Sequence, residues 1–123
     1  VLTAKALYQV GEYERMDRYL ERARIPQSPL PPQIRFAWGQ AKANLGLSEQ
    51  ALAMFRDLGG QNSRYRDPAL YRAAELLTDL GRPQEAIKTY KQLAEKGEGT
   101  LWAELGREGR FLAEYAQMLP DKD

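Results

Sequence analysis

The chain has 123 residues, 43% of them hydrophobic and 28% charged, which is the composition of one globular domain. Its 18 Lys and Arg residues nearly balance its 17 Asp and Glu residues, so we expect no binding of nucleic acid through bulk charge. It contains neither cysteine nor histidine, which excludes disulfides, zinc–thiolate sites and the commonest general base. We therefore predict no catalytic residues, no metal site and no cofactor.

The sequence also limits the cellular setting. No apolar run approaches the roughly 18 residues that span a bilayer, and the N-terminus lacks the pattern of a signal peptide. We therefore predict no direct membrane insertion, and a soluble location in either cytoplasm or periplasm. Residue 1 is Val rather than Met, so we expect a fragment of a longer protein.

Amphipathic periodicity predicts seven helices and no strand, so the predicted fold class is all-α. In chain order, the predicted helices cover residues 1–10, 12–24, 33–45, 48–59, 68–80, 83–96 and 100–118. Asp67 is predicted to cap the fifth helix, and Pro32 and Pro83 to lie in the first turns of the third and sixth. Residues 120–123 are expected to form a frayed tail.

The helices repeat as a unit with a period of 35 residues. Gly11, Gly46 and Gly81 each follow an apolar residue that ends a helical pattern. Because glycine readily adopts the left-handed backbone conformation, each is predicted to end one helix and turn the chain into the next. After each glycine, apolar or small residues at steps of four and three mark one helical face, as at Ala51 and Phe55.

A helix–turn–helix unit of about this length resembles the tetratricopeptide repeat family. The residues that carry the resemblance are Trp38-Gly39, Gly46 and Ala51-x-x-x-Phe55 in unit two, Ala74, Gly81 and Ala86-x-x-x-Tyr90 in unit three, and Ala4, Gly11 and Tyr13 in unit one. The resemblance implies a right-handed α–α superhelix of antiparallel helix pairs, a tetratricopeptide-like solenoid, as a single domain over residues 1–119. Its repeats would cover about 1–24, 33–59 and 68–96.

Unit two departs from the family pattern at two positions, and the C-terminal segment is predicted to end the array of repeats. Arg35 and Lys42 occupy positions where the family packs apolar residues against the preceding repeat, which predicts a shifted or looser junction between units one and two. The segment 100–118 would be a capping helix with a solvated outer face. The residues predicted to supply that polar face are Glu104, Arg107, Glu108, Arg110 and Glu114.

The resemblance implies a non-catalytic scaffold that binds a peptide or helix of a partner protein. In tetratricopeptide proteins the first helix of each pair lines a concave groove that holds such a segment. Carried over position by position, the groove residues would be Tyr8, Phe36, Gln40, Asn44, Tyr71, Glu75, Thr78 and Asp79. Aromatic side chains with polar neighbours make good peptide anchors. For Phe36 and Tyr71, packing inside the repeats is an equal alternative.

The alternative function is an assembly module. In that interpretation the ends of the array self-associate, or stack end to end within a larger complex, of which a bacterial envelope or secretion complex is one example. Such a module would respond to changes at Trp102 or Leu105.

Two charged clusters have a simpler interpretation than a functional site. The arginines of the second helix alternate with acidic residues, which is typical of a solvated face with pairs such as Glu14–Arg18 rather than of a nucleic-acid site. Glu75 and Asp79 lie four residues apart, and we interpret them as a solvated acidic patch rather than as a catalytic or metal-binding pair.

Overall fold

A computed structural model describes residues 2–23 and 30–119, and in these ranges the chain is helical with no strand. The helices are α1 (Leu2–Gln9), α2 (Tyr13–Ala23), α3 (Pro32–Asn44), α4 (Ser48–Gly59), α5 (Arg66–Asp79), α6 (Pro83–Lys96) and α7 (Leu101–Met118). Each packs against the next along the chain, which confirms the prediction of an all-α solenoid of helix pairs. None of these helices combines the length and the apolar character that crossing a membrane requires. The predicted tail at 120–123 lies outside the described residues.

The three turns at the 35-residue period share one geometry. Gly11, Gly46 and Gly81 have positive φ angles of 79°, 80° and 74°. In each turn the N–H of the residue after the glycine donates to the carbonyl five residues earlier, at 2.9 Å. This pattern satisfies a carbonyl at the helix end and requires the left-handed backbone that glycine adopts without a steric penalty. The predicted turns are confirmed.

One predicted helix start is wrong, and two predicted prolines are confirmed. Helix α5 begins at Arg66 and not after an Asp67 cap, because the Tyr65 carbonyl already accepts a helical hydrogen bond from the N–H four residues later, at 3.0 Å. Asp67 lies within the first turn, where its carboxylate accepts from the Arg66 Nε at 2.9 Å. Pro32 and Pro83 are each the first residue of their helix, a position that needs no N–H donor.

The buried apolar residues form two clusters along the array. One joins units two and three and comprises Ala51, Leu52, Phe55, Leu58, Ala69, Ala73, Ala74, Leu76, Leu77, Ala86 and Tyr90. The other joins units one and two and comprises Ala4, Met16, Leu20, Ile34, Trp38 and Ala41. Because α3 contributes to the second cluster and packs against α4, the two cores are linked through this helix.

A buried charge network lies at the junction between units one and two. The Lys42 side chain is only 5% exposed, and its Nζ lies 2.8 Å from Asp17 Oδ1 and 3.4 Å from Glu21 Oε1. It also donates to Gln50 Oε1 at 2.7 Å and lies 5.2 Å from the centre of the Trp38 ring. The contact between α2 and α3 is less extensive than that between α3 and α4. The junction therefore combines the apolar cluster with a buried charge network, which is centred on a lysine where an apolar residue was expected.

Arg35, the other charged residue at a position expected to be apolar, is not part of this charge network. Its Nη1 donates to Asp57 Oδ2 at 3.0 Å and its Nη2 to Gln61 Oε1 at 2.9 Å. Its Nε donates to the Leu30 carbonyl at 3.0 Å. The side chain thus reaches toward α4 and the loop that follows it, where its charge is paired.

The predicted polar outer face of the capping helix is only partly correct. The five charged residues assigned to it are exposed, but Phe111, Tyr115 and Met118 are also 67%, 53% and 79% exposed. In contrast, Trp102 and Leu105 are half-buried, and the Trp102 ring lies 6.0 Å from that of Tyr71. The apolar residues that α7 presents to solvent are therefore different from those named as end residues from sequence.

Thr100 caps α7, which begins one residue later at Leu101. Its Oγ1 accepts from the Trp102 N–H at 3.2 Å. Replacing Thr100 with alanine should therefore lower the free energy of unfolding by about 1 kcal/mol, measured by urea denaturation. Thr100→Ser, which keeps the hydroxyl, should remain close to wild type. Equal losses in the two variants would refute the capping role.

Candidate functional site

A cavity with aromatic walls, here called the aromatic cavity, lies between α1, α3 and the segment before α5. Its volume is about 310 Å³, and its lining residues are Lys5, Tyr8, Gln9, Gln33, Ile34, Phe36, Ala37 and Tyr65. The rings of Phe36 and Tyr65 are 5.6 Å apart, and Phe36 also packs edge-on against Phe55 at 5.4 Å. Phe36 therefore packs within the repeat and also lines the cavity.

Local helix geometry explains how these side chains come together. Lys5, Tyr8 and Gln9 follow one face of α1 at steps of three and four. Gln33 and Phe36 do the same on α3. Burial raises the pKa of the Tyr8 hydroxyl, with a smaller opposing effect from the nearby Arg72 charge. The Tyr8 hydroxyl thus stays protonated at neutral pH and is available as a hydrogen-bond donor.

Next to this cavity, Arg72 connects α3 and α5. Its Nε donates to Gln40 Oε1 and its Nη1 to Glu75 Oε1, both at 2.7 Å. Glu75 is therefore paired with Arg72, which corrects its interpretation as half of an open acidic patch. Asp79 is exposed, and Asn44 uses its side-chain N–H to donate to the Gln40 carbonyl at 3.1 Å.

A second cavity lies between α5, α6 and α7. Its volume is about 190 Å³, and it is lined by Tyr71, Thr78, Tyr90, Leu105, Glu108, Gly109, Leu112, Ala113 and Ala116. The Tyr71 and Tyr90 rings meet edge-on at 6.2 Å. Burial raises the pKa of Tyr90 to about 12, and the nearby Tyr71 phenol and the Glu75 and Asp79 carboxylates add to this effect. The Thr78 hydroxyl donates to the Ala74 carbonyl of its own helix at 3.0 Å.

The structure separates the eight predicted groove residues into four pairs. Tyr8 and Phe36 line the aromatic cavity, whereas Tyr71 and Thr78 line the second cavity. Gln40 and Glu75 meet through Arg72, while Asn44 and Asp79 line neither cavity and lie near the ends of their helices.

Several residues that line or adjoin the two cavities were not among the predicted groove residues, including Lys5, Tyr65, Arg72 and Glu108. Arg72 could have been found, since it stands three residues before Glu75 on one helix and such pairs attract each other. Lys5 could also have been found, because it lies one turn from Tyr8. Tyr65 belongs to a loop, so only the tertiary packing brings it to Phe36.

The side chains that line the two cavities define the contacts these cavities can offer. Among the described residues, no group of three acidic side chains is placed to hold a metal ion. The cavities offer aromatic faces, phenol and amide hydrogen-bonding groups, and one lysine. Such a combination suits an apolar side chain with polar neighbours.

Comparison with known proteins adds evidence on the family. The tetratricopeptide repeat family model matches residues 68–96, which cover most of α5 and all of α6. No curated protein and no solved structure gives a significant match. The earlier helix pairs repeat the glycine turn of the matched unit at the same period. The match over 68–96 and the seven helices of the described residues together fit a tetratricopeptide-type repeat protein.

Proposed function

We propose that the chain is a protein-interaction module that holds a segment of a partner along α1, α3 and α5. Tetratricopeptide repeats generally mediate protein–protein interactions, which supports the broad role. The more specific proposal, that the chain binds an anchor side chain of this segment, rests on the aromatic cavity. Its volume of about 310 Å³ lies at the lower limit for ligand pockets, so it suits one large anchor side chain better than a whole cofactor.

The charges around the aromatic cavity favour a partner segment of defined chemistry. Lys5 is exposed at the cavity, whereas Tyr8, Phe36 and Tyr65 provide the apolar contact. An anchor such as Leu, Phe or Trp would bury its side chain against these rings, and an Asp or Glu beside it would face the Lys5 ammonium. The Gln40 amide would offer hydrogen bonds to the peptide backbone further along.

Selection from a displayed random-peptide library on the immobilised chain tests this proposal. We expect enriched peptides to carry a large apolar residue with an acidic residue one or two positions away. Their affinity should fall roughly tenfold for Lys5→Glu, because a favourable rim charge becomes a repulsive one. It should fall at least as much for Tyr8→Ala, which removes one aromatic wall. Binding would be measured by fluorescence polarisation.

The matched control is Lys91→Glu, which makes the same charge reversal at an exposed position of α6, far from the cavity in sequence and on a different helix. Its affinity for the selected peptides should equal that of wild type. Peptides that bind Lys5→Glu and Tyr8→Ala as tightly as wild type would move the site away from the aromatic cavity. Circular dichroism would establish that each variant is folded.

A further inference from the structure

The outer face of α7 carries an exposed stripe of residues, here called the end face. It runs at steps of four and three through Glu104, Glu108, Phe111, Tyr115 and Met118. This spacing places all five side chains on one side of the helix, as in a seam that packs against another helix. The Phe111 and Tyr115 rings are stacked, with centroids 6.4 Å apart. Exposed aromatic residues that adjoin in this way indicate a contact surface.

Among the described residues, the packing of α7 leaves this side exposed. Helices α3 and α5 each pack against the helix before and the helix after them, whereas α7 packs against α5 and α6. Its buried side consists of Ala103 and Gly106, roughly opposite the end face. Within the described residues, the end face therefore lies where the following helix of a solenoid would pack.

The first helix pair of the described residues has a complementary cavity, here called the arginine cavity. It has a volume of about 600 Å³ between α1 and α2 and is lined by Leu7, Arg15, Arg18, Tyr19, Arg22 and Ala23. Arg18 forms an exposed pair with Glu14 at 3.4 Å, which contributes little binding energy to either residue. Arg15 and Arg22 have no ion-pair partner among the described residues.

The two ends match in both pattern and charge. Arg15, Tyr19 and Arg22 follow α2 at steps of four and three, the same spacing as the end face. The arginine cavity is basic around an apolar floor, whereas the end face combines two carboxylates with three apolar side chains. We propose that the end face of one copy docks on the arginine cavity of a second copy, so that the chain stacks head to tail.

Charge favours this arrangement over a symmetric one. Two end faces in contact would place Glu104 and Glu108 of both copies in one interface, and two arginine cavities would do the same with guanidinium groups. Like charges brought together in an interface oppose association, while the head-to-tail contact pairs opposite charges. A head-to-tail contact leaves one free end on each side, so association continues beyond the dimer unless the rotation closes a ring. This inference is independent of peptide binding at the aromatic cavity.

Sedimentation equilibrium of the chain and of two variants with one blocked end tests the proposal. Phe111→Ser/Tyr115→Ser blocks the end face, and Arg15→Glu/Arg22→Glu blocks the arginine cavity. Wild type should show a mass that rises with concentration above that of one chain. Each variant alone should associate at least about 30-fold more weakly, because anchor aromatics and paired charges dominate such interfaces. An equimolar mixture of the two should form one-to-one dimers and nothing longer, since each partner keeps one intact end.

Two controls distinguish loss of specific docking from loss of folding and from a general decrease in hydrophobic association. Leu45→Ser removes an exposed apolar side chain outside both ends and should associate like wild type. Circular dichroism of the blocked variants should match that of wild type, because all four substituted residues are exposed. A wild-type chain that stays monomeric at every concentration overturns the proposal. So does a mixture that stays monomeric, or dimerisation of the Arg15→Glu/Arg22→Glu variant alone, which would indicate a symmetric contact between end faces.

Discussion

Replacing Lys42 with alanine should lower the free energy of unfolding by about 3 kcal/mol, because the substitution breaks a buried ion pair. The lysine Nζ lies 2.8 Å from Asp17 Oδ1 and donates to Gln50 Oε1 at 2.7 Å. Without it, the Asp17 carboxylate keeps the Trp38 Nε1–H donor at 2.7 Å but loses its counter-charge. The Trp38 ring loses the alkyl stem and ammonium packed against it. Urea denaturation followed by circular dichroism measures the change.

A double-mutant cycle separates the ion pair from the loss of packing. Lys42→Met keeps most of the side-chain volume, and Asp17→Asn keeps an oxygen that can accept from the Trp38 N–H. Lys42→Met leaves the Asp17 carboxylate without its counter-charge, and Asp17→Asn leaves Lys42 with only the more distant Glu21 carboxylate, at 3.4 Å. The double variant removes both charges of the closer pair, so it should be more stable than the sum of the two losses predicts. If the losses in the free energy of unfolding were strictly additive, the two charges would not interact.

The Lys42–Asp17 ion pair also makes the free energy of unfolding depend on pH in the acid range. Partial burial raises the pKa of the Asp17 carboxyl, but hydrogen bonds from Lys42 and Trp38 and the lysine charge outweigh it, so the pKa lies below its ordinary value of 3.8. A carboxyl with a lowered folded-state pKa stabilises the fold above the unfolded value, and this stabilisation is lost as the pH falls through the folded value. The decrease in the free energy of unfolding on acidification should therefore be smaller in Lys42→Met than in wild type. Hydrogen bonds from Arg82 and Arg56 lower the pKa of Glu85 to about 2. Glu85 therefore contributes the same pH dependence to both proteins.

Local signals in the sequence were sufficient for the helices and turns. Gly11, Gly46 and Gly81 predict left-handed turns because the conformational preference belongs to the residue itself, and all three have positive φ. The Asp67 cap was wrong because a competing local hydrogen bond at the Tyr65 carbonyl starts α5 earlier. Such small shifts of a helix end leave the side that packs unchanged.

Contacts between distant residues could not be predicted in the same way. The sequence places Lys42 at the junction of units one and two, but its partner Asp17 lies on another helix, and only the packing of α3 on α2 brings them together. Tyr8 and Phe36 were found through the register of the family, whereas Tyr65 in a loop was not. Lys5 and Arg72, which lie on regular helices, were missed as well although their local spacing could have indicated them, so of these three only the loop residue Tyr65 required knowledge of the packing.

The orientation of α7 illustrates a second physical reason for error. An amphipathic pattern usually assigns large apolar residues to the buried side, yet α7 buries Ala103 and Gly106 and exposes Phe111 and Tyr115. Small residues permit a close approach of two helix backbones, and this contact decides which side of α7 faces α6. A hydrophobicity pattern does not identify glycine as a packing residue, because glycine has no apolar side chain to contribute to the pattern.

Gly106 is the residue on which that close approach depends most directly. A Cβ atom at this position would lie 2.8 Å from both the Ala94 nitrogen and the Tyr90 carbonyl oxygen, which are backbone atoms of α6. Neither can move without shifting a whole helix, so Gly106→Ala should force α7 away from α6. We expect a loss of about 1–3 kcal/mol from this overpacking. It opposes a gain of roughly 0.5–1 kcal/mol that alanine provides in a helix.

The control for Gly106→Ala is Gly60→Ala, because it makes the same chemical change where space is available. A Cβ at Gly60 would meet its nearest atom at 3.6 Å, an ordinary contact, and the residue already has a φ of −89°. Gly60→Ala should therefore be as stable as wild type or slightly more stable, since alanine restricts the unfolded chain. Urea denaturation of the two variants gives the comparison. If Gly106→Ala were stabilised to the same degree as Gly60→Ala, helix propensity would outweigh the close contact, and the packing of α7 through its small residues would have to be abandoned.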